Sequence, residues 1–219
     1  MKIGIVVAMQ KELNHLLELA GECIANEIFG NTVYTFENYP DIYVILSGVG
    51  EIQSAMACSI LLSTYKVDRV INFGYVGALC ADLEKGEIVN IESVIHCDMD
   101  LTIFGKKPGQ YDELTTVEFA ADYGFFDHLE LDRKKLSSSD SFLDPGEERD
   151  NLMELFGKNV TDMEGAGIAV VCTKANVPFS MIKCVSNAVD DTHEDYSEFS
   201  AEGIKYCAEL VYKTVFAID

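Results

Sequence analysis

Apolar runs of strand length alternate along this chain with stretches of helical period. "KIGIVVA" reads as a buried strand. Met9, Leu13, Leu16, Leu17 and Ala20 then recur at the spacing of an amphipathic helix. "NTVYTFENY" and "DIYVILSG" read as a hairpin-like pair turning at Asn38–Tyr39–Pro40–Asp41. "GEIQSAMACSILLSTY" reads as a small-residue helix packed closely on a sheet, and "RVINFG" and "EIVNIESVIH" as further strands.

Residues 98–115 carry Pro108 and neighbouring glycines and read as a long loop. "TVEFAADYGFFDHL" is assigned as helical, and "KKLSSSDSFLD" as a strand running into a loop. "KNVTDME" is a strand that leads into the helix "EGAGIAVVCTKA", and "VPFSMIKCVSN" is the last long strand. A closing helix carries Phe199, Ile204, Cys207, Val211 and Val215 on one face. No repeat, linker or low-complexity tract interrupts the pattern. Such alternation predicts a single three-layer α/β domain over residues 1–219.

Composition narrows the function classes. Of 219 residues 48% are hydrophobic, enough for a sizeable core. No apolar run reaches the roughly 18 residues of a membrane span, and "MKIGIVVAMQKE" lacks a small-residue cleavage site. A cytosolic location is expected. Sixteen basic against 37 acidic residues give a net charge of −21, with no basic stripe to neutralise phosphates, so nucleic acid is not an expected partner. Seven cysteines and four histidines show no metal-ligand spacing, and reduced, mostly buried thiols are expected.

Ligands of open α/β sheets gather beyond the carboxyl ends of the strands. Those ends carry "AMQKE", "SGVGE", "FGYVGAL", "DMEG" and "SNAVDD". They offer Glu12 and Glu164 at helix starts, glycine-rich turns, and the pair Ser186–Asn187, with nothing basic beside them. Each has a plain structural alternative. Either glutamate could simply complement a helix dipole, Asn187 could cap a turn, and Phe142 could be core. The combination carries more weight than any member.

Taken together, these segments resemble the purine nucleoside phosphorylase and uridine phosphorylase superfamily, and within it the 5′-methylthioadenosine/S-adenosylhomocysteine nucleosidases. "MKIGIVVAMQKE" resembles that family's opening strand and catalytic glutamate. "ILSGVGEIQSAMA" resembles its SGxGK-type turn, and "VINFGYVGAL" its NTGxAGGL loop. "HCDMDLTIFG" resembles its HDADxTxFG segment, "SSDSFL" its SGDxFI purine loop, and "TDMEGAGIAVVC" its VEMExxAxAxxC helix start. The resemblance runs nearly end to end and implies an α/β/α fold with a central mixed twisted sheet. It also implies roles. Glu12 becomes the base that activates water. Glu164 binds the ribose 2′-hydroxyl, with Met163 under the sugar. Phe142 stacks on the purine, and the Leu143 backbone bonds its edge. Leu101 and Phe104 line the 5′ side, partly in a second subunit's site, and Tyr196 faces the 5′ substituent. A homodimer and no metal or organic cofactor are expected on the same ground.

The implied reaction is N-glycosidic hydrolysis, whose oxocarbenium-like sugar favours nearby carboxylates. Phosphorolytic relatives carry arginines at the first glycine-rich turn and the third strand end. This chain has Gln10–Lys11–Glu12 and Asn72–Phe73–Gly74–Tyr75 there, with Lys11 expected to point elsewhere. Three positions depart from the nucleosidase pattern. Asn187 stands where an acid donates to the purine, and an amide suits a 6-oxopurine through its acceptor and two donor hydrogens. Ser186 faces the base beside it. Tyr75 replaces a small serine, so its ring either fills the nucleophile pocket or points away. Lys106 replaces an aromatic residue, either to meet a polar 5′ group or as an exposed side chain. Two alternatives therefore stand beside the leading one: a 6-oxopurine nucleosidase or phosphorylase, and a catalytically weak nucleoside-binding protein.

Overall fold

The computed structural model describes residues 1–157, 160–197 and 202–217. In chain order it contains β1 (Ile3–Val7), α1 (Gln10–Ala20), β2 (Ile24–Ile28), β3 (Asn31–Thr35), β4 (Ile42–Leu46), α2 (Glu51–Ile60), β5 (Arg69–Ala78), β6 (Ile88–His96), β7 (Glu118–Ala120), β8 (Asp132–Ser138), α3 (Glu147–Phe156), β9 (Val160–Asp162), α4 (Gly165–Ala175), β10 (Phe179–Asn187), α5 (His193–Ser197) and α6 (Glu202–Val215). A π-helical turn, Leu61–Tyr65, extends α2.

The strands form one mixed sheet. β4, β1, β5 and β10 lie side by side and parallel, so their carboxyl ends share one edge. β3 and β2 extend the β4 side by antiparallel pairing. On the other side β6 runs antiparallel to β10, and β8 and β9 continue from it. β9 returns to pair with the end of β5 at Gly77 and Ala78, which closes these five strands on themselves. β7 adds to β6.

Alternation along the buried strands explains the layers. Ile3, Ile5 and Val7 of β1 point to the face covered by α1 and α6, packed on Leu13, Leu16, Ile204 and Val211. Val6 points the other way, toward the face that also buries Ala57, Cys58, Ala166 and Ala169 of α2 and α4. These two helices pack closely because Gly167 lacks a side chain: a Cβ there would run into the Glu51 carbonyl and the Ser54 hydroxyl. The result is the three-layer α/β/α arrangement that the alternation predicted.

Three local assignments change. The segment at 116–129 is not helical; it is strand β7 followed by 3-10 turns over Tyr123–Leu129. Phe119 alone of β7 is buried, the period-2 signature of an edge strand laid on β6. β5 does not stop at Gly74 but runs on to Ala78. β2 and α3 had no apolar pattern to announce them, because β2 is almost wholly exposed and α3 buries only Arg149. Phe199, assigned to the closing helix, lies outside the described residues. No helix among the described residues is long and apolar enough to cross a membrane.

Candidate active site

The shared strand edge opens into a cavity of about 210 Å³. Glu12 reaches it from the first turn of α1, and its carboxylate is held at two points. The Met9 N–H donates to Oε2 at 2.9 Å, the reach-back half of a capping box. The Tyr75 N–H of β5 donates to Oε1, also at 2.9 Å. Gly74 makes this possible, since a Cβ there would sit 2.9 Å from Oε1. Glu12 is only 2% exposed. Burial raises its pKa, and the two backbone donors and the charges of Lys183 and Lys11 only partly offset that.

Glu164 lies across the same end, where β9 passes into α4. The Gly50 N–H donates to its Oε1 at 3.2 Å, and its carbonyl accepts from the Ser54 hydroxyl at 2.8 Å. Burial raises its pKa, reinforced by Asp162 and opposed by Lys183. Sequence reasoning missed Lys183. Its ammonium is buried in β10 and pairs with Asp162 at 2.7 Å, both side chains 1% exposed. Burial alone pulls the lysine pKa down, yet Asp162, Glu164 and Glu12 together hold it above its ordinary value. A lysine inside the all-buried run "FSMIKCVSN" was the available signal, because such a charge demands a partner.

A second acid lies behind this group. The Ser138 hydroxyl sits 2.5 Å from Glu51 Oε1 and 2.6 Å from Asp162 Oδ1. One hydroxyl has one hydrogen, so one of the two carboxyls must itself carry a proton. Asp162 also accepts from Lys183 and from the Gly165 N–H, which fixes it as the anion. Glu51 is then the neutral acid, with the Gly167 N–H donating to its other oxygen. Consistently, burial pushes the Glu51 pKa up to about 8, with the Asp162 charge adding to it.

Another part of the cavity wall is aromatic and looser. Phe142 is 47% exposed and packs edge-on against Tyr196 at 5.8 Å, with Leu143 buried beside it. Tyr196 meets Tyr75 edge-on at 6.0 Å, and its hydroxyl lies 3.6 Å from Met9 Sδ. The Tyr75 ring therefore lies in the cavity wall beside Tyr196. Lys11 is exposed and does not line the cavity. Its ammonium lies 4.2 Å from the Tyr196 ring centroid and 5.2 Å from that of Tyr75, at cation–π distance.

Ser186 donates to Asn187 Oδ1 at 2.8 Å, and Asn187 Nδ2 donates to the Thr192 carbonyl at 2.9 Å. The amide is thus oriented by its own loop and keeps one N–H for a ligand. Asp191 also lines the cavity, tied to Lys85 at 3.0 Å and to the Ala188 N–H at 2.6 Å. Arg149 of α3, also missed in the sequence, lines the cavity while being 5% exposed.

Most of the expected site residues converge: Glu12, Glu164, Met163, Tyr75, Phe142, Leu143, Ser186, Asn187 and Tyr196 all line this one cavity. Leu101 and Phe104 do not. They belong to the 98–115 loop, where Phe104 is 75% exposed. Lys106 of that loop pairs with Asp112 at 2.9 Å and is not part of the cavity wall.

The chain and its fold match a known class. The phosphorylase superfamily model matches residues 2–215, and the chain belongs to that superfamily. Among curated relatives, the 5′-methylthioadenosine/S-adenosylhomocysteine nucleosidase of Buchnera aphidicola is 32% identical, aligned over 97% of this chain and 85% of its own length. The nucleosidase of the same name from S. pneumoniae, solved with a transition-state inhibitor, superposes with a TM-score of 0.91 at 26% identity over the whole of both chains. Futalosine hydrolase of Helicobacter pylori shares the fold, with a TM-score of 0.92 at 23% identity over 100% of this chain and 98% of its own.

Proposed function

We propose that this protein is a purine nucleoside N-ribosyl hydrolase of the methylthioadenosine/adenosylhomocysteine nucleosidase type, acting as one nucleosidase-like unit over its whole length. The observation that carries this is Glu12, a buried carboxylate held by two backbone donors at the cavity end that also holds Glu164. A positioned base contributes about 10²–10⁴-fold to a step in which water attacks, and a raised pKa suits a group that must accept a proton near neutrality. In this scheme Glu12 takes the proton from water as it adds to the ribosyl carbon. Glu164 accepts a bond from the ribose 2′-hydroxyl, and Met163 packs beneath the sugar. The carboxylates stabilise the positive charge that develops on the ring. The purine stacks on Phe142 and bonds the Leu143 backbone at its edge, with Ser186 and Asn187 beside it and Tyr196 toward the 5′ substituent.

Hydrolysis is favoured over phosphorolysis because Glu12, Glu164 and Asp162 gather around the buried Lys183, so acids outnumber the cation among them. A phosphate dianion would meet repulsion there. We further propose a cytoplasmic homodimer in which the exposed loop carrying Leu101 and Phe104 completes the neighbouring site. Sedimentation of the protein as a monomer would overturn that part. The function itself is tested by assaying base release from methylthioadenosine, adenosylhomocysteine, inosine and futalosine, with and without phosphate. Release without phosphate is expected; strict phosphate dependence, or no release from all four, would overturn it.

A further inference from the structure

Glu51 is a buried acid that the proposed reaction does not use. It is 5% exposed and stands outside the cavity wall, so it touches no substrate. Its contacts nevertheless join α2 to three other parts of the chain. Its carboxyl meets the Ser138 hydroxyl at the end of β8 and the Gly167 N–H in the first turn of α4. Its own backbone N–H donates to Asp140 Oδ1 at 2.7 Å, two residues before Phe142. Gly50, the residue before it, donates to Glu164 Oε1, and the Ser54 hydroxyl donates to the Glu164 carbonyl. The first turn of α2 thus holds both Glu164 and the loop that carries Phe142. The Glu51 carboxyl pins that turn to β8 and α4.

The pin depends on one proton. Ser138 Oγ lies 2.5 Å from Glu51 Oε1 and 2.6 Å from Asp162 Oδ1, and it has one hydrogen to give. With Glu51 neutral, its own hydrogen goes to Ser138, and Ser138 donates to Asp162. With Glu51 ionised, two carboxylates face one hydrogen, and one of them is left buried and unpaired. Such an arrangement is costly. The element that yields is α2, because Asp162 stays tied to Lys183 and the Gly165 N–H. Besides Asp162, Glu164 and Lys183, three titratable groups face Glu51. Asp140 accepts its backbone N–H, and Cys97 and Tyr111 feel its charge, both pushed up to about 12 by burial. His96 and Asp98 stand one bond further out, on Tyr111 and Asp140.

We propose that Glu51 is a positioning residue whose neutral carboxyl latches α2 against β8 and α4, and that loss of its proton releases Glu164 and the Phe142 loop and shuts the site at alkaline pH. The proposal rests on the hydrolase assignment for the reaction it switches, and on the hydrogen bonds alone for the latch. Two opposite limbs follow. Glu12 must be ionised to act, so activity rises with pH on the acid side. Glu51 must stay protonated, so activity falls as pH rises past about 8. A glutamine at this position keeps a donor for Ser138 and an acceptor for the Gly167 N–H, and it cannot ionise. It therefore keeps the latch closed at every pH.

The test is the pH profile of kcat/KM for the wild type and Glu51→Gln, on the panel nucleoside that is cleaved fastest. Circular dichroism at each pH and infrared spectra of the carboxyl region accompany it. Wild-type kcat/KM should fall about tenfold per pH unit above the ionisation of Glu51, while the chain is still folded. Near neutrality the variant should match the wild type within about threefold, and it should lack the alkaline limb. The infrared difference between the two proteins should show one protonated carboxyl at neutral pH, lost over the same range as the activity. A wild type without the limb, a limb that persists in the variant, or no protonated carboxyl in the difference would overturn the proposal. So would a fall that only accompanies unfolding, the mark of a merely structural acid. No cleavage of any panel nucleoside would instead defeat the hydrolase assignment. The latch is then read from calorimetric binding of methylthioadenosine, which should weaken over the same pH range in the wild type alone; unchanged wild-type binding would overturn it.

Discussion

The two ends of the cavity are built on opposite plans. At the end proposed to hold the sugar, Glu12 and Glu164 are fixed by backbone N–H groups from three separate segments, and Lys183, Asp162, Ser138 and Glu51 form a continuous buried chain behind them. Where the base is proposed to lie, Phe142 is nearly half exposed. Reaction chemistry needs charges held in place before substrate arrives. Base recognition needs only a few donors of the right kind, and these can be exchanged without disturbing the sheet. The contrast suggests that reaction type is set by the core, and substrate preference by loops that the core does not constrain.

Substitutions at each end should separate the two. Glu12→Gln should lower turnover by about 10²–10⁴-fold while base binding stays within a few-fold. In the wild type, activity should fall as pH drops through the raised pKa of Glu12, because the base must be ionised to act. An unchanged rate for the variant would remove Glu12 from the mechanism. Lys183→Met leaves Asp162 buried without its cation, and urea unfolding should show a loss of about 3–5 kcal/mol. A loss below about 1 kcal/mol would mean the pair is not central to the core.

Glu51 tests the proton count behind the sugar end. Its folded-state pKa of about 8 lies above the ordinary 4.5. Between those values the folded protein keeps a proton that the unfolded chain releases, so stability falls as pH rises through that window. Glu51→Gln keeps the donor to Ser138 and the acceptor for the Gly167 N–H but cannot ionise. It should be more stable than the wild type at pH 8 by roughly 1–4 kcal/mol, with the advantage vanishing near pH 5. Parallel stability curves for the two proteins would contradict the assignment. The smallest effect is expected at the base end. Asn187→Asp should move preference toward 6-amino nucleosides by roughly 5–100-fold, the worth of one mismatched donor. Ratios of kcat/KM for matched 6-amino and 6-oxo substrates measure it, and an unchanged or higher 6-oxo ratio would count against the reading of the amide.

Most of the sugar end was legible in the sequence. Strand β1 and the stripe of α1 are regular, so Glu12 falls one turn beyond a strand end by counting alone. "DMEG" places Glu164 equally well. What could not be read were the partners across the fold. Nothing local says that Lys183, mid-strand, meets Asp162, or that Gly74 exists to admit the Glu12 carboxylate against the β5 backbone. Arg149 was overlooked as well. α3 has no apolar stripe, so no helix was drawn there and no face was assigned to its arginine. Edge strand β2 was silent on the same principle: periodicity reports burial, and exposed elements carry none of it.

The central claim is that water, activated at the sugar end, is the nucleophile. It is tested most directly by running the reaction in oxygen-18 water, with phosphate present, on whichever nucleoside of the panel is cleaved fastest. Mass spectrometry of the released sugar should find one labelled oxygen at the anomeric carbon and no ribose phosphate. An unlabelled sugar 1-phosphate would contradict the account.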